Sequence, residues 1–98
     1  MIEIRRTREY LKWLRSIRDV RAQTAIAARV DRLARGNPGD VKPVGHGVSE
    51  LRIHFGPGYR VYYMQRGNVL ILLLCGGDKS SQTDDISKAH TMVRELED

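Results

Sequence analysis

The order of periodicities along this chain predicts an α+β fold in which a helix hairpin packs on a small, mainly antiparallel, twisted sheet, with a C-terminal helix at the sheet's edge. Three observations carry that expectation. Residues 8–35 place apolar side chains at helical spacing in two stretches with a short break between them. Residues 50–75 alternate in the manner of strands and are broken by two glycine-bearing turns, and the last fifteen residues return to helical spacing. A chain of 98 residues has room for one hydrophobic core, so residues 1–98 read as a single domain.

Ile2 and Ile4 alternate with Glu3 and Arg5, which fits a short first strand. Thr7 is placed to cap the helix that follows, with Glu9 in the first turn, where the helix dipole favours an anion. Tyr10, Leu14 and Ile17 recur at helical spacing with Leu11 beside them, while Arg8, Lys12 and Arg15 lie off that face. Trp13 reads as a core or partner-contact aromatic. Asp19 caps a longer second helix with Ala22, Ile26, Val30 and Leu33 as its buried stripe, and Gly36-Asn37-Pro38 ends it. Residues 37–49 lose periodicity and read as a loop.

Leu51, Ile53 and Phe55 then face a core, with Arg52 and His54 on the opposite side. Gly56-Pro57-Gly58 makes the hairpin turn into a strand where Tyr59, Val61 and Tyr63 share one face and Arg60, Tyr62 and Met64 the other. Gly67-Asn68 makes the next turn. Val69 to Cys75 is apolar on both faces, as a covered central strand requires. Gly76-Gly77 reads as the exit from that strand, bringing Lys79 to the face. Ser81 or Thr83 caps a final helix whose apolar positions are Ile86, Ala89, Val93 and Leu96. On this reading the second, concave face of the sheet stays open for a ligand.

Composition narrows the partners. A hydrophobic fraction of 41% with 30% charged residues is ordinary for a globular domain, whereas a net charge of +5 favours a polyanionic or acidic partner. The charge is concentrated: residues 1–35 hold ten Arg and Lys against four Asp and Glu, leaving the remainder slightly acidic. A single cysteine, Cys75, excludes an internal disulfide and fits a reducing compartment, and its place at the end of an apolar run makes it a packing residue. The opening MIEIRRTREY lacks the apolar core of a signal peptide, and the run 69–75 is too short to span a bilayer, so a cytoplasmic protein with no membrane partner is expected.

One cysteine and three scattered histidines make no ligand set at usual spacing, so neither a metal nor another cofactor is expected. Gly76-Gly77-Asp78-Lys79-Ser80 lacks the earlier glycine of a phosphate-binding loop. Arg52, Arg60 and Lys79 instead sit at strand positions or strand ends where one sheet face gathers them, an arrangement suited to phosphate.

The segments ELR (50–52), GPGYRVYY (56–63) and GGDKS (76–80) resemble the RelE/ParE superfamily of bacterial toxins, in particular its HigB-like branch of addiction-module killer proteins. The resemblance covers nearly the whole chain and implies the same α+β fold. It also implies the toxin of a type II toxin–antitoxin pair that cuts messenger RNA on the translating ribosome, without metal, by attack of the RNA's own 2′-hydroxyl on the adjacent phosphate. That chemistry needs cations around a phosphorane and groups that move protons. By resemblance, Arg60 holds the phosphate and Lys79 contacts it or donates a proton, with Arg52 at a third basic position. RelE itself has lysines before its Leu-Arg pair and a tyrosine beyond its last basic site. This chain has Ser49 and Glu50, then Asp84 and Asp85, so the proton-transfer groups are not assigned by resemblance. Chemistry alone nominates His54 for catalysis, since its ordinary pKa lies near neutrality and alternation puts it beside Arg52. Tyr62 is expected on the same face as a stacking or proton-donating group, His46 at the rim as a substrate contact, and His90 in a structural or solvent-facing place.

The resemblance further implies a small antitoxin of the helix-turn-helix DNA-binding kind. The basic outer faces of the helix hairpin, with Arg21, Arg29 and Arg32, offer it a docking surface. Two other uses of the fold compete with RNA cleavage: a ParE-like inhibitor of DNA gyrase without catalysis, and an inactive relative that only binds its antitoxin. The three clustered cations favour cleavage.

Overall fold

The structure, a computed structural model, describes residues 1–97. Its elements are β1 (Glu3–Arg6), α1 (Arg8–Ser16), α2 (Val20–Ala34), β2 (Val41–Gly45), β3 (Val48–Ile53), β4 (Tyr59–Arg66), β5 (Leu70–Gly77) and α3 (Gln82–Glu97). One sheet holds all five strands in the order β1-β5-β4-β3-β2, and of its pairings only β1 with β5 is parallel. The expected α+β architecture is present.

The helix hairpin forms as its signals dictate. Thr7 Oγ1 accepts from the Tyr10 amide at 3.0 Å and donates to the Leu74 carbonyl at 2.6 Å, so one hydroxyl caps α1 and ties it to β5. Asp19 accepts from the Arg21 amide at 2.9 Å and starts α2. Gly36, at φ +87°, ends it: the amides of Gly36 and Asn37 reach back to the carbonyls of Leu33 and Arg32, the paired bonds of a Schellman stop. Tyr10, Ile26, Val30 and Leu33 of the hairpin are buried against Leu51, Ile53, Val61, Tyr63, Ile71 and Leu73.

The opposite face departs from expectation. α3 lies on the sheet rather than at its edge, burying Ala89 and Val93 against Val48, Tyr62, Leu74 and Cys75. The cause lies in β5. Tyr62 pairs with Cys75 and Tyr63 with Leu73, so Leu74 is the extra residue of a bulge, and Leu74 and Cys75 both turn to this side. That apolar surface needs a cover, and α3 supplies it. Beyond the start of α3, the β3–β4 end of this face carries Glu50, Arg52 and Arg60.

Residues 37–49 are not all loop. They hold β2 and the start of β3, paired from Val41 with Leu51 to Gly45 with Val48. Pro43 hid the strand from the sequence, but β2 is an edge strand, where a missing amide donor is tolerated. Gly45, His46 and Gly47, all at positive φ, turn the chain. The last helix also starts differently. Asp78, accepting from the Ser80 amide at 2.8 Å, caps a 3-10 turn over Lys79–Ser81 that leads into α3, and Thr83 lies inside the helix.

Candidate functional site

The register of β3 against β4 builds the site: Arg52 stands opposite Arg60 and Glu50 opposite Tyr62. Residues two apart on a strand share a face, so all four side chains meet on the α3 side. Glu50 is fully buried at their centre. Its Oε1 accepts from Arg52 Nε at 2.8 Å. Its Oε2 accepts from Gln82 Nε2 at 2.8 Å and from the Tyr62 hydroxyl at 3.3 Å, with Arg60 Nε 3.7 Å away. Burial alone would push the Glu50 carboxyl up. The bonds from Arg52 and Gln82 and the charges of Arg60 and Arg52 outweigh it, so the pKa falls and the group is ionised. Burial, then the Glu50 charge, pushes the Tyr62 hydroxyl far up and keeps it a neutral donor.

Arg60 is recessed rather than solvated, with its side chain 12% exposed against 31% for Arg52. Its Nη1 donates to the Gly58 carbonyl at 2.7 Å. Its Nε is buried and makes no hydrogen bond to any described residue. Lys79, exposed on the 3-10 turn, shares the corner: a Cβ on Gly58 would lie 3.3 Å from Arg60 Nη1 and 3.7 Å from Lys79 Cβ. Gly58 also sits at φ +80°, so the turn needs glycine twice over. Nearby Asp78 is held low by its hydrogen bonds from Ser80, with a smaller contribution from the Arg60 charge. Two guanidiniums thus flank one buried carboxylate whose two oxygens are already taken, and Lys79 stands by the Gly58 turn.

The structure joins Arg52, Arg60 and Lys79 and separates other expected members. Tyr62 shares their face but is fully buried under α3, so it presents no surface for a base. His54 is exposed, but β3 ends at Ile53, and the ring turns to Asp40, with Nε2 2.7 Å from Oδ2. It borders a groove of about 390 Å³ with Arg29 and Arg32 on the α2 side, away from Arg60. His46 stacks edge-on against His90, 4.5 Å between centroids, in the β2–β3 turn. That turn adjoins Val48, four residues along β3 from Arg52, or about 13 Å at strand rise. The His90 ring nitrogen donates to the Val44 carbonyl at 2.9 Å, the structural place expected of it.

On the hairpin, Arg21 and Arg32 are exposed as expected. Arg29 is a clamp: its guanidinium donates to the carbonyls of Pro38, Asp40 and Arg52 at 2.8, 3.3 and 3.1 Å. It ties α2 to the start of β2 and the end of β3. Cys75 is buried, and burial followed by the Asp85 charge pushes its thiol up to about 12, which suits packing and no thiolate chemistry. Sequence reasoning noted Glu50 only as a residue standing where RelE has a lysine, and missed Gln82. The legible signal was Glu-x-Arg on one strand face, which forces a carboxylate and a guanidinium side by side.

Among the described residues no helix is long and apolar enough to cross a membrane, and no three His, Cys, Asp or Glu gather at a common metal position. Residues 12–95 match the family model of the phage-derived Gp49-like proteins. The chain is also 47% identical over 95 residues to an uncharacterized protein of Haemophilus influenzae, covering 97% of this chain and 96% of that one. A mixed five-stranded sheet with a cation corner, and a match over most of its length, define a RelE/ParE-like toxin fold. The chain belongs to the Gp49-like family of that superfamily.

Proposed function

We propose that this protein is the toxin of a type II toxin–antitoxin pair, of the HigB-like kind, and cleaves messenger RNA on the translating ribosome. The observation that carries the reading is the cross-strand pair Arg52 and Arg60 with Lys79 beside Gly58, a cation corner on the sheet face beyond the start of α3. A gyrase inhibitor or a passive antitoxin ligand has no need of it. In the reading, the RNA's 2′-hydroxyl attacks the adjacent phosphorus, giving its proton to solvent water, and the 5′-oxygen leaves as a hydroxyl, with a 2′,3′-cyclic phosphate behind it. Arg60 and Arg52 stabilise the added charge on the phosphorane, and Lys79, the solvent-facing member, donates to the leaving oxygen. His54 carries no step, because it faces Asp40 on the other side of the sheet.

The partner in this reading is a small antitoxin, of the helix-turn-helix DNA-binding type, docked by an acidic segment on the outer face of the hairpin around Arg21 and Arg32. Reversing both to Glu weakens that complex and flattens its salt dependence in titration calorimetry, since exposed interface charge acts through screened attraction. Retained affinity with the parental salt slope places the antitoxin elsewhere. The catalytic reading is tested by in vitro translation with primer extension, run beside a gyrase supercoiling assay. Arg60→Ala and Lys79→Ala each lower cleavage by about a hundredfold, the usual loss for one preorganised donor. Gyrase inhibition with intact message would replace this reading with the ParE-like one.

A further inference from the structure

Both arginines of the corner are arranged about a residue that takes no part in the steps above. We propose that Glu50 is a positioning residue: its buried carboxylate, seated on Gln82 of α3 and Tyr62 of β4, fixes the two guanidiniums in the orientation in which they receive a phosphate. The proposal rests on the reading of Arg52 and Arg60 as phosphate ligands. Glu50 is fully buried with both oxygens occupied, so a 2′-hydroxyl has no access to it and it is not the base. What it does is turn both Nε groups inward. Arg52 Nε bonds to Oε1 at 2.8 Å, Arg60 Nε faces Oε2 at 3.7 Å, and Arg60 Nη1 is held separately by the Gly58 carbonyl. The Arg52 guanidinium, bonded at Nε, has its remaining edge aimed, which is what bidentate recognition of phosphate requires, while Arg60 is bonded at Nη1 and drawn to Oε2 by charge without a hydrogen bond. Gln82 is the first residue of α3, so the seating of that helix reaches the arginines through the same carboxylate.

The charge of Glu50 separates positioning from mere packing. A carboxylate between two arginines opposes the binding of a polyanion, so its value lies in orientation. Glu50→Gln removes the opposing charge and loosens the guanidiniums together. The variant therefore binds programmed ribosomes as well as or better than the parent, with KM unchanged or lower, while kcat falls by at least about tenfold, as misplaced groups do.

The test pairs those kinetics with nitrogen-edited NMR of the arginine Nε–Hε groups in the full chain. Dispersed, slowly exchanging signals are expected for Arg52, hydrogen-bonded at Nε, and for Arg60, buried there; in Glu50→Gln the Arg52 signal is expected to be lost and the Arg60 signal to shift and broaden. Should Glu50→Gln fail to fold, Gln82→Ala keeps the charge and frees one carboxylate oxygen. It should broaden the same signals and lower kcat by a few-fold. Unchanged Nε–Hε signals in the folded variants, or an unchanged kcat, overturns the proposal. A parent that cuts no message sinks the RNA-cleavage reading, and the NMR signals alone then decide whether Glu50 holds the guanidiniums.

Discussion

Gly76→Ala is the sharpest probe of how this sheet is clamped. The two glycines at the end of β5 are approached from opposite sides. A Cβ on Gly76 would fall inside the indole of Trp13, overlapping Cε3 and Cζ3 and lying 2.6 Å from Cδ2. A Cβ on Gly77 would overlap the Asp85 carboxylate and lie 2.8 Å from Ser81 Oγ. Neither glycine has positive φ, so alanine meets no backbone objection and the whole cost is steric. Trp13 is tilted against Tyr10 at 5.9 Å and edge-on to Tyr59 at 6.3 Å between centroids, so any retreat of the ring disturbs both contacts. Overpacking of a fitted core costs about 1–3 kcal/mol, and a rigid ring puts this site near the top of that range. At about 4–8 °C per kcal/mol for a domain of this size, Tm falls by roughly 10–20 °C.

The control is a double-mutant cycle with Trp13→Ala, read by urea denaturation. With the indole gone, Gly76→Ala should cost almost nothing, or stabilise by about 0.4–1 kcal/mol through the lost freedom of the unfolded glycine. An equal penalty in both backgrounds would refute the clamp, and so would a penalty below about 0.5 kcal/mol in the parent.

Three further outcomes follow from the same geometry. Lys79→Ala, on an exposed turn, should leave stability within about 0.5 kcal/mol, whereas Arg60→Ala, recessed beside buried Glu50, should cost about 1–3 kcal/mol in urea titration; equal effects would mean that Arg60 is not part of the buried network. The folded pKa of Glu50 is lowered, so the stability it contributes is present above its unfolded value of 4.5 and is lost as pH falls through the folded value. The stability gap between parent and Glu50→Gln should therefore shrink below pH 4.5, and a gap that persists to strongly acid pH would contradict ionised burial. Cys75, with its thiol near 12, should resist disulfide reagents at pH 8 in the folded chain and react at once in denaturant; fast labelling without denaturant would show that α3 does not cover it.

The fold was legible where local rules act alone. Thr7, Asp19 and Gly36 announce caps that need no tertiary partner, and the alternation of Leu51, Ile53, Val61 and Tyr63 declares one buried face by itself. The errors arise where one element's role is set by another. β2 carries Pro43, an anti-strand signal that edge placement cancels, and edge placement is a property of the whole sheet. The bulge at Leu74 cannot be read from seven apolar residues in a row. Yet it gives the second sheet face the apolar surface that draws α3 down.

The consequences for the site follow from that one displacement. With α3 at the edge, Tyr62 and Arg60 would stand in solvent, as alternation alone implies; with α3 on the face, Tyr62 is buried, Arg60 is recessed, and Gln82 arrives at Glu50. Alternation placed Arg52 and Arg60 on the right face, because it reports direction. It could not report depth, which depends on what lies above the face. The same limit explains His54: its position in the pattern matched Arg52, but β3 stops one residue earlier, where Arg29 holds the Asp40 and Arg52 carbonyls, and the ring is free to turn toward the Asp40 carboxylate. The cation corner therefore lies just beyond the surface that α3 covers between Val48 and Cys75, and its limit on that side is set by where the helix begins.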